Sequence, residues 1–381
     1  MLNNTETEHV ESYVSRLLGL DLSLMAATML ILGFGVWLMF SVSAAVGRGV
    51  YDGSLFYARH QLVHAIAGLA VMLVTAFSWR RLMEMLNHKH QFRWAFGWAW
   101  LLLVAVLFMP GVIGMHASIP VISFKFYPAV FVGILLLVFV AARLGDKNKP
   151  FDMRTSVSTI AVVGVTLILI MLEGYVTLPM LIFMAIILMY KKAGLPLKYV
   201  SAMVGAMGLI IMLEIFSHPY RIERLMVLLF PADYPATYGY QNMMSLKLLS
   251  GAKLFGGAST DSLKLLPFLH TDFAFTALTA GVGWLASLIV TALLVFVVVR
   301  GLRIAKSAGS GAAGLLVFGL VFLFGGQAFL NISRCLGVVG GISVGLPFIS
   351  YGGNDLIASS IIVGILLATS AGQKQNRDTA D

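Results

Sequence analysis

Apolar runs of about the length a helix needs to cross a bilayer core of roughly 30 Å follow one another along the chain, separated by short polar interruptions. They fall near residues 22–45, 60–78, 94–114, 121–142, 157–172, 174–190, 198–217, 273–299, 311–333 and 354–371. Ten such spans predict an all-α polytopic membrane protein, because backbone groups in lipid are best satisfied within a helix. The spans form one transmembrane domain over 22–371, with a segment at 1–21 before it and a tail at 372–381 after it. The first run is too long for a signal-peptide core and follows an acidic leader of Glu6, Glu8 and Glu11, so it reads as a retained helix.

The basic residues set the orientation. Seventeen of the 26 Lys and Arg fall in alternate connections: Arg16; Arg80, Arg81, Lys89 and Arg93; Arg143, Lys147, Lys149 and Arg154; Lys191, Lys192 and Lys198; Arg300, Arg303 and Lys306; Lys374 and Arg377. The positive-inside rule then places both termini in the cytoplasm. Two connections on the opposite, outer side are long. The larger, 218–272, lies between spans seven and eight, and the other runs over about 332–353. Long connections in compact folds are more often functional than mere spacers. Arg221-Ile-Glu-Arg-Leu-Met-Val-Leu-Leu-Phe230 suits a short helix along the interface. The second loop is rich in glycine (Gly337, Gly340, Gly341, Gly345, Gly352, Gly353) and can turn tightly.

Composition agrees: 59% of residues are hydrophobic, 11% are charged, and the mean hydropathy is +0.91. A net charge of +9 in a soluble chain would suggest nucleic acid, but here the cations lie between apolar runs and act as topogenic signals. Cys335 is the only cysteine, which excludes an intramolecular disulfide. Phosphate-loop, dinucleotide and zinc signatures are absent, which argues against a nucleotide-driven pump or a zinc hydrolase.

Candidate chemistry is left to ionisable residues at outer helix ends, where charge is costly to place. Asp272 follows His270 and Thr271 and precedes Phe273-Ala-Phe275 at the start of an apolar run. A carboxylate at that boundary is either a general base whose pKa is raised by partial desolvation or the cap of the helix that follows. Arg59, His60, Arg221 and Arg224 are placed to hold a phosphate headgroup or simply to snorkel. Glu173 lies in a short outer turn, Glu214 and His218 form an i,i+4 pair, Lys125 marks a helix end, and Asn354 or Asp355 caps the last helix.

At these outer segments the chain resembles the SEDS family (shape, elongation, division and sporulation). The resemblance rests on Phe56-Tyr-Ala-Arg59-His-Gln61 after Ser41-Val-Ser43, Pro219-Tyr-Arg-Ile-Glu-Arg224, Gly239-Tyr-Gln241 with Ser245, and Leu266-Pro-Phe-Leu-His-Thr-Asp-Phe-Ala-Phe275. Gln327 and Asn331 then precede Leu346-Pro-Phe-Ile-Ser-Tyr-Gly-Gly353, and the order of these strings matches the family's over nearly the whole chain. The resemblance implies a peptidoglycan glycosyltransferase of the bacterial inner membrane that polymerises lipid II at the periplasmic face. It further implies a class B penicillin-binding protein and other division proteins as partners. Asp272 would be the catalytic carboxylate, with Arg59, Gln61, Arg221, Arg224, Gln241, His270, Thr271, Ser350 and Tyr351 binding substrate. A divalent cation, magnesium or manganese, is a candidate cofactor for the diphosphate leaving group.

Departures from the family pattern are as informative. Gly133 stands where a lysine is usual, Tyr127-Pro-Ala-Val130 replaces Gln-Pro-Ser-Glu, and Glu173-Gly-Tyr-Val176 replaces Gln-Pro-Asp-Leu-Gly. Ala117-Ser-Ile-Pro120 replaces an Asn-Gly/Ala-Arg-Trp stretch, Thr279-Ala-Gly281-Val-Gly283 replaces Glu-Glu-x-Gly, and Asn354-Asp355 replaces Ser-Ser. A cavity with fewer charges suggests a non-catalytic scaffold for the penicillin-binding protein as an alternative. A lipid II flippase, which needs a polar path through the spans, fits less well.

Overall fold

The computed structural model describes residues 19–50, 55–86, 89–109, 118–121, 124–145, 153–194 and 238–378, with scattered positions between 201 and 230. Helices dominate. In chain order they are α1 (Leu22–Val50), α2 (Phe56–Leu86), α3 (Lys89–Leu107), α4 (Pro128–Leu144), α5 (Met153–Leu172) and α6 (Thr177–Lys192). After the large connection come α7 (Tyr238–Ser250), α8 (Thr260–Lys264), α9 (Ala274–Gly281), α10 (Trp284–Ser307), α11 (Ala312–Cys335) and α12 (Gly353–Asp378). Five of the described helices are long and apolar enough to cross a membrane: those beginning at Leu22, Phe56, Trp284, Ala312 and Gly353. Span seven and the interfacial segment 221–230 lie largely outside the described residues.

Three sequence expectations are corrected. Span four does not begin at 121: residues Ile119–Val121 (β1) and Phe124–Phe126 (β2) pair antiparallel, Ile119 opposite Phe126, and the helix starts at Pro128. Proline favours a first helical position because its missing N–H is not needed there, and the alternating Phe124, Lys125, Phe126 suits a strand. Lys125 therefore lies on β2 and not at a helix end.

Span eight is broken between α9 and α10. Gly283 has φ 123°, a conformation that L side chains rarely adopt, and the backbone of residues 253–258 fills the gap. Gly256 N–H donates to the Val282 carbonyl (2.6 Å), Ala258 N–H to Ala280 (3.0 Å), Trp284 N–H to Lys253 (3.0 Å) and Leu285 N–H to Leu254 (3.2 Å). These bonds satisfy groups that a helix break would otherwise leave unpaired. The short helix α9 is buried from Ala274 through Ala280, so the residues just before it are held against the bundle core.

Small residues let the long helices approach closely, as helix association in lipid requires. At Gly364 of α12, an added Cβ would lie 2.7 Å from the Met72 carbonyl of α2, and at Gly326 of α11 it would lie 2.8 Å from Leu181 of α6. One end of the bundle is tied by basic residues. Arg300 pairs with the buried Asp21. Lys192 Nζ donates to the carbonyls of Ala305 (3.2 Å) and Gly314 (3.4 Å). The opposite end carries the N-terminus of α9, the C-terminus of α11 and the turn from α5 to α6.

Candidate active site

Two Leu-Pro-Phe turns build the site. Phe268 (φ 57°) and Phe348 (φ 64°) both adopt the left-handed conformation, uncommon for bulky residues, and each reverses the chain directly after a proline. The turns interlock. Tyr351 N–H donates to the His270 carbonyl (2.8 Å), and Ser350 Oγ donates to the Thr271 carbonyl (2.7 Å) while accepting from Leu346 N–H (2.7 Å). Asn331 Nδ2, from α11, donates to the carbonyls of both Asp272 (2.9 Å) and Val344 (2.7 Å). Strain of order 1–3 kcal/mol per left-handed Phe persists only where surroundings over-determine the backbone, and this hydrogen-bond web does so.

Asp272 is the carboxylate these turns present. It does not cap α9: the cap position is Phe273, with no side-chain hydrogen bond. Its Oδ2 accepts from Arg334 Nη1 at 2.8 Å, and Ser343 Oγ lies 2.8 Å from Oδ2 and 3.0 Å from Oδ1. Arg334 is further held by Gln241 Oε1 (3.1 Å) and by the face of Phe273, 4.4 Å from its ring centroid. The arginine side chain is 4% exposed and the aspartate 18%, so the carboxylate alone stays reachable. Among the described residues Oδ1 accepts no bond other than the one Ser343 can offer, which leaves capacity for a substrate hydroxyl.

Around this pair the structure gathers most of the residues expected from the sequence. Gln61 is fully buried on α2 and reaches the Ser350 carbonyl through Nε2 at 3.4 Å. His270 packs at a tilt against Tyr57 (centroids 4.5 Å apart) and meets Tyr351 edge-on (5.8 Å). Burial lowers the His270 pKa, opposed by the charge of Asp272. Arg59 is exposed on the first turn of α2 and does not line the cavity described next. Arg221 and Arg224 lie outside the described residues. Asn354 is a further correction: instead of capping α12, its side chain accepts from Tyr127 N–H (3.2 Å) and donates to the Lys125 carbonyl (2.7 Å), pinning β2 and α4 to the site.

A cavity of about 1360 Å³ opens beside Asp272. At the site end it is lined by Asp272, Ser343, Asp355, Tyr127 and Glu173, and it continues as an apolar groove between α6, α10 and α11. Along α11 its walls extend from Leu336 to Phe318, roughly 27 Å at 1.5 Å per residue. Phe318 lies under Lys192 at the basic end of the bundle, so the groove runs nearly the thickness of a bilayer core. No Lys, Arg or His is among the described lining residues. Ile182 packs 2.5 Å from where a Cβ on Gly133 would project, so α6 fills the space of the family's usual lysine.

Arg334 and Ser343 carry the geometry of Asp272, and neither was marked by sequence. An arginine closing an apolar run reads as a snorkelling residue, and a single serine in a glycine-rich loop carries no signal.

A bundle of membrane-spanning helices, with a carboxylate at its less basic end open to a long apolar groove, defines a multi-pass membrane protein with a candidate site for an amphipathic molecule. Residues 22–375 match the FtsW/RodA/SpoVE cell cycle protein family, and the chain belongs to that family. It is 27% identical over 362 residues to a probable peptidoglycan glycosyltransferase FtsW of Thiomicrospira cyclica, covering 92% of this chain and 91% of the relative. Stage V sporulation protein E of Bacillus subtilis is 29% identical over 368 residues, covering 92% and 96%. Among solved structures, a chain of a peptidoglycan synthase complex that coordinates polymerization and crosslinking superposes with a TM-score of 0.73 at 20% identity, over 93% of this chain and 99% of that one. The rod shape determining protein RodA of Thermus thermophilus gives 0.63 at 20% identity, over 92% and 96%. At that identity the two structures share the fold.

Proposed function

We propose that this protein is a peptidoglycan glycosyltransferase that polymerises lipid II at the periplasmic face of the bacterial inner membrane during cell division. The observation that carries the reading is the groove of near-bilayer length ending at a reachable carboxylate: it accommodates an isoprenoid tail while the headgroup meets Asp272. In this reading Asp272 takes the proton from the acceptor sugar hydroxyl as that oxygen attacks the donor's anomeric carbon, and the bond to undecaprenyl diphosphate breaks. Arg334 and Ser343 position the carboxylate, and Asn331 and Ser350 fix the turn beneath it. A class B penicillin-binding protein, with other division proteins, is the proposed partner, supported by the likeness to a chain of a peptidoglycan synthase complex.

No group of three His, Cys, Asp or Glu among the described residues is arranged to hold a metal unaided. A divalent cation would instead be held by Asp355, whose side chain is open to the cavity, together with the substrate itself. When bound, it supplies positive charge to a cavity whose described walls have none.

The test is strand synthesis from lipid II by the purified protein with its partner, read on gels. Product from wild type supports the reading, and none, where a folded relative succeeds, counts against it. The lack of basic lining residues favours a second reading, a scaffold for the penicillin-binding protein. It requires Asp272→Asn to support growth as well as wild type. The apolar groove walls argue against a lipid II translocation path.

A further inference from the structure

Across the cavity from the turns that carry Asp272, the four residues Glu173–Val176 connect α5 to α6. Glu173 belongs to the cavity wall, none of its surface is accessible, and neither carboxyl oxygen has a hydrogen-bond partner among the described residues. Buried polar groups are nearly always paired, so an orphaned carboxyl beside a large cavity calls for a partner that is not part of the chain.

The titratable groups near it are Tyr175 in its own turn, Tyr127 before α4 and Asp355 at the start of α12, with Asp272 beyond Asp355. All are acids or phenols. An ionised Glu173 would repel the carboxylates among them and any anion entering the cavity, whereas a protonated carboxyl donates a hydrogen bond.

We propose that Glu173 is a substrate-binding residue that, as a neutral acid, donates a hydrogen bond to a phosphate oxygen of the lipid-linked donor. This rests on the glycosyltransferase reading for the identity of the lipid. The site takes the place of a basic residue: Gly133 bears no side chain, and the described walls offer no cation. The whole turn from Glu173 to Val176 lines the cavity, with Gly174 at φ 99° directly after Glu173, so a ligand oxygen in the cavity lies against the carboxyl. Burial supports the protonation state, since it raises the Glu173 pKa to about 8.

The experiment is equilibrium binding of radiolabelled undecaprenyl diphosphate to the full chain in detergent, with EDTA present, at pH 7 and pH 9. If only the protonated form binds, the competent fraction falls from about nine-tenths to about one-tenth, so wild-type affinity drops roughly tenfold. Glu173→Gln keeps an N–H donor and cannot ionise, so its affinity ratio between the two pH values stays below about threefold. A wild-type ratio near one overturns the proposal, and so does a Glu173→Gln ratio as steep as wild type. A flat wild-type profile overturns the proposal without any variant, even where the glutamine protein does not purify as a monodisperse species. Strand synthesis assayed in parallel separates the two claims. A tenfold pH effect without strand synthesis removes the polymerase reading and leaves the anion site, while synthesis with a flat profile removes the site alone.

Discussion

Replacing Arg334 with methionine tests whether the Asp272 site is held as a unit. The substitution keeps much of the aliphatic packing but removes the 2.8 Å ion pair to Asp272, the 3.1 Å bond to Gln241 and the cation over Phe273. Hydrogen bonds to charged groups contribute about 1.5–3 kcal/mol each and a cation–π contact at least about 0.5, so simple addition gives roughly 3.5–6.5 kcal/mol. Contacts of one side chain are not additive, and Asp272 keeps Ser343 and partial access to solvent. The expected destabilisation is therefore about 3 kcal/mol, the low end of the range for breaking a buried pair. A double-mutant cycle with Asp272→Asn, read by reversible unfolding in mixed micelles, should return a coupling energy of about 1–2 kcal/mol. Coupling indistinguishable from zero would refute the claim that Arg334 positions the carboxylate. The same geometry warns against Asp272→Ala as a probe. Alanine leaves a 4%-exposed guanidinium without its counter-charge, so lost activity could reflect lost structure, whereas asparagine still offers an oxygen to Arg334 and Ser343.

Ser350→Ala removes the acceptor of the buried Leu346 N–H and the donor to the Thr271 carbonyl, and should destabilise by about 2 kcal/mol, measured by thermal unfolding. Gly283→Ala places a Cβ 2.7 Å from Gly256 N in a backbone conformation foreign to alanine, and should cost about 3 kcal/mol and loosen the 253–258 segment to hydrogen exchange. Glu173 gives a pH signature: its folded pKa, about 8, lies above the ordinary 4.5, so the native state binds the extra proton and wild-type stability falls as pH rises from 4.5 to 8. At pH 7 the penalty is about 3 kcal/mol, so the advantage of Glu173→Gln over wild type in unfolding experiments should be larger at pH 8 than at pH 5.

The five described membrane-crossing helices were readable from sequence because a bilayer imposes length and apolarity on each segment independently of its neighbours. The break at Gly283 was not. Two glycines inside an apolar run are compatible with a continuous helix, and only the loop 253–258 folding back makes the interruption the stable arrangement. Span four was misplaced at its start because Val121, Phe124 and Phe126 are as apolar as the helix that follows, and a short apolar stretch does not separate strand from helix. Asp272 stood out because a carboxylate opening an apolar run is unusual. Its partners did not, since Arg334 and Ser343 lie 62 and 71 residues further along the chain and meet it only through tertiary packing. Asn354 looked like a cap by position, yet β2 and α4 compete successfully for its side chain. Glu173 was visible as a residue in a short turn and as a departure from the family's Gln-Pro-Asp-Leu-Gly, but its lack of partners is a property of the packed cavity.

The central claim is tested most directly by strand synthesis from lipid II with wild type and Asp272→Asn, each purified with its partner and matched for folded protein. Loss of a positioned general base removes a factor of about 10²–10⁴, so wild type should make long strands while the asparagine variant makes none within the wild-type time course. Strands formed by Asp272→Asn at the wild-type rate would contradict the account.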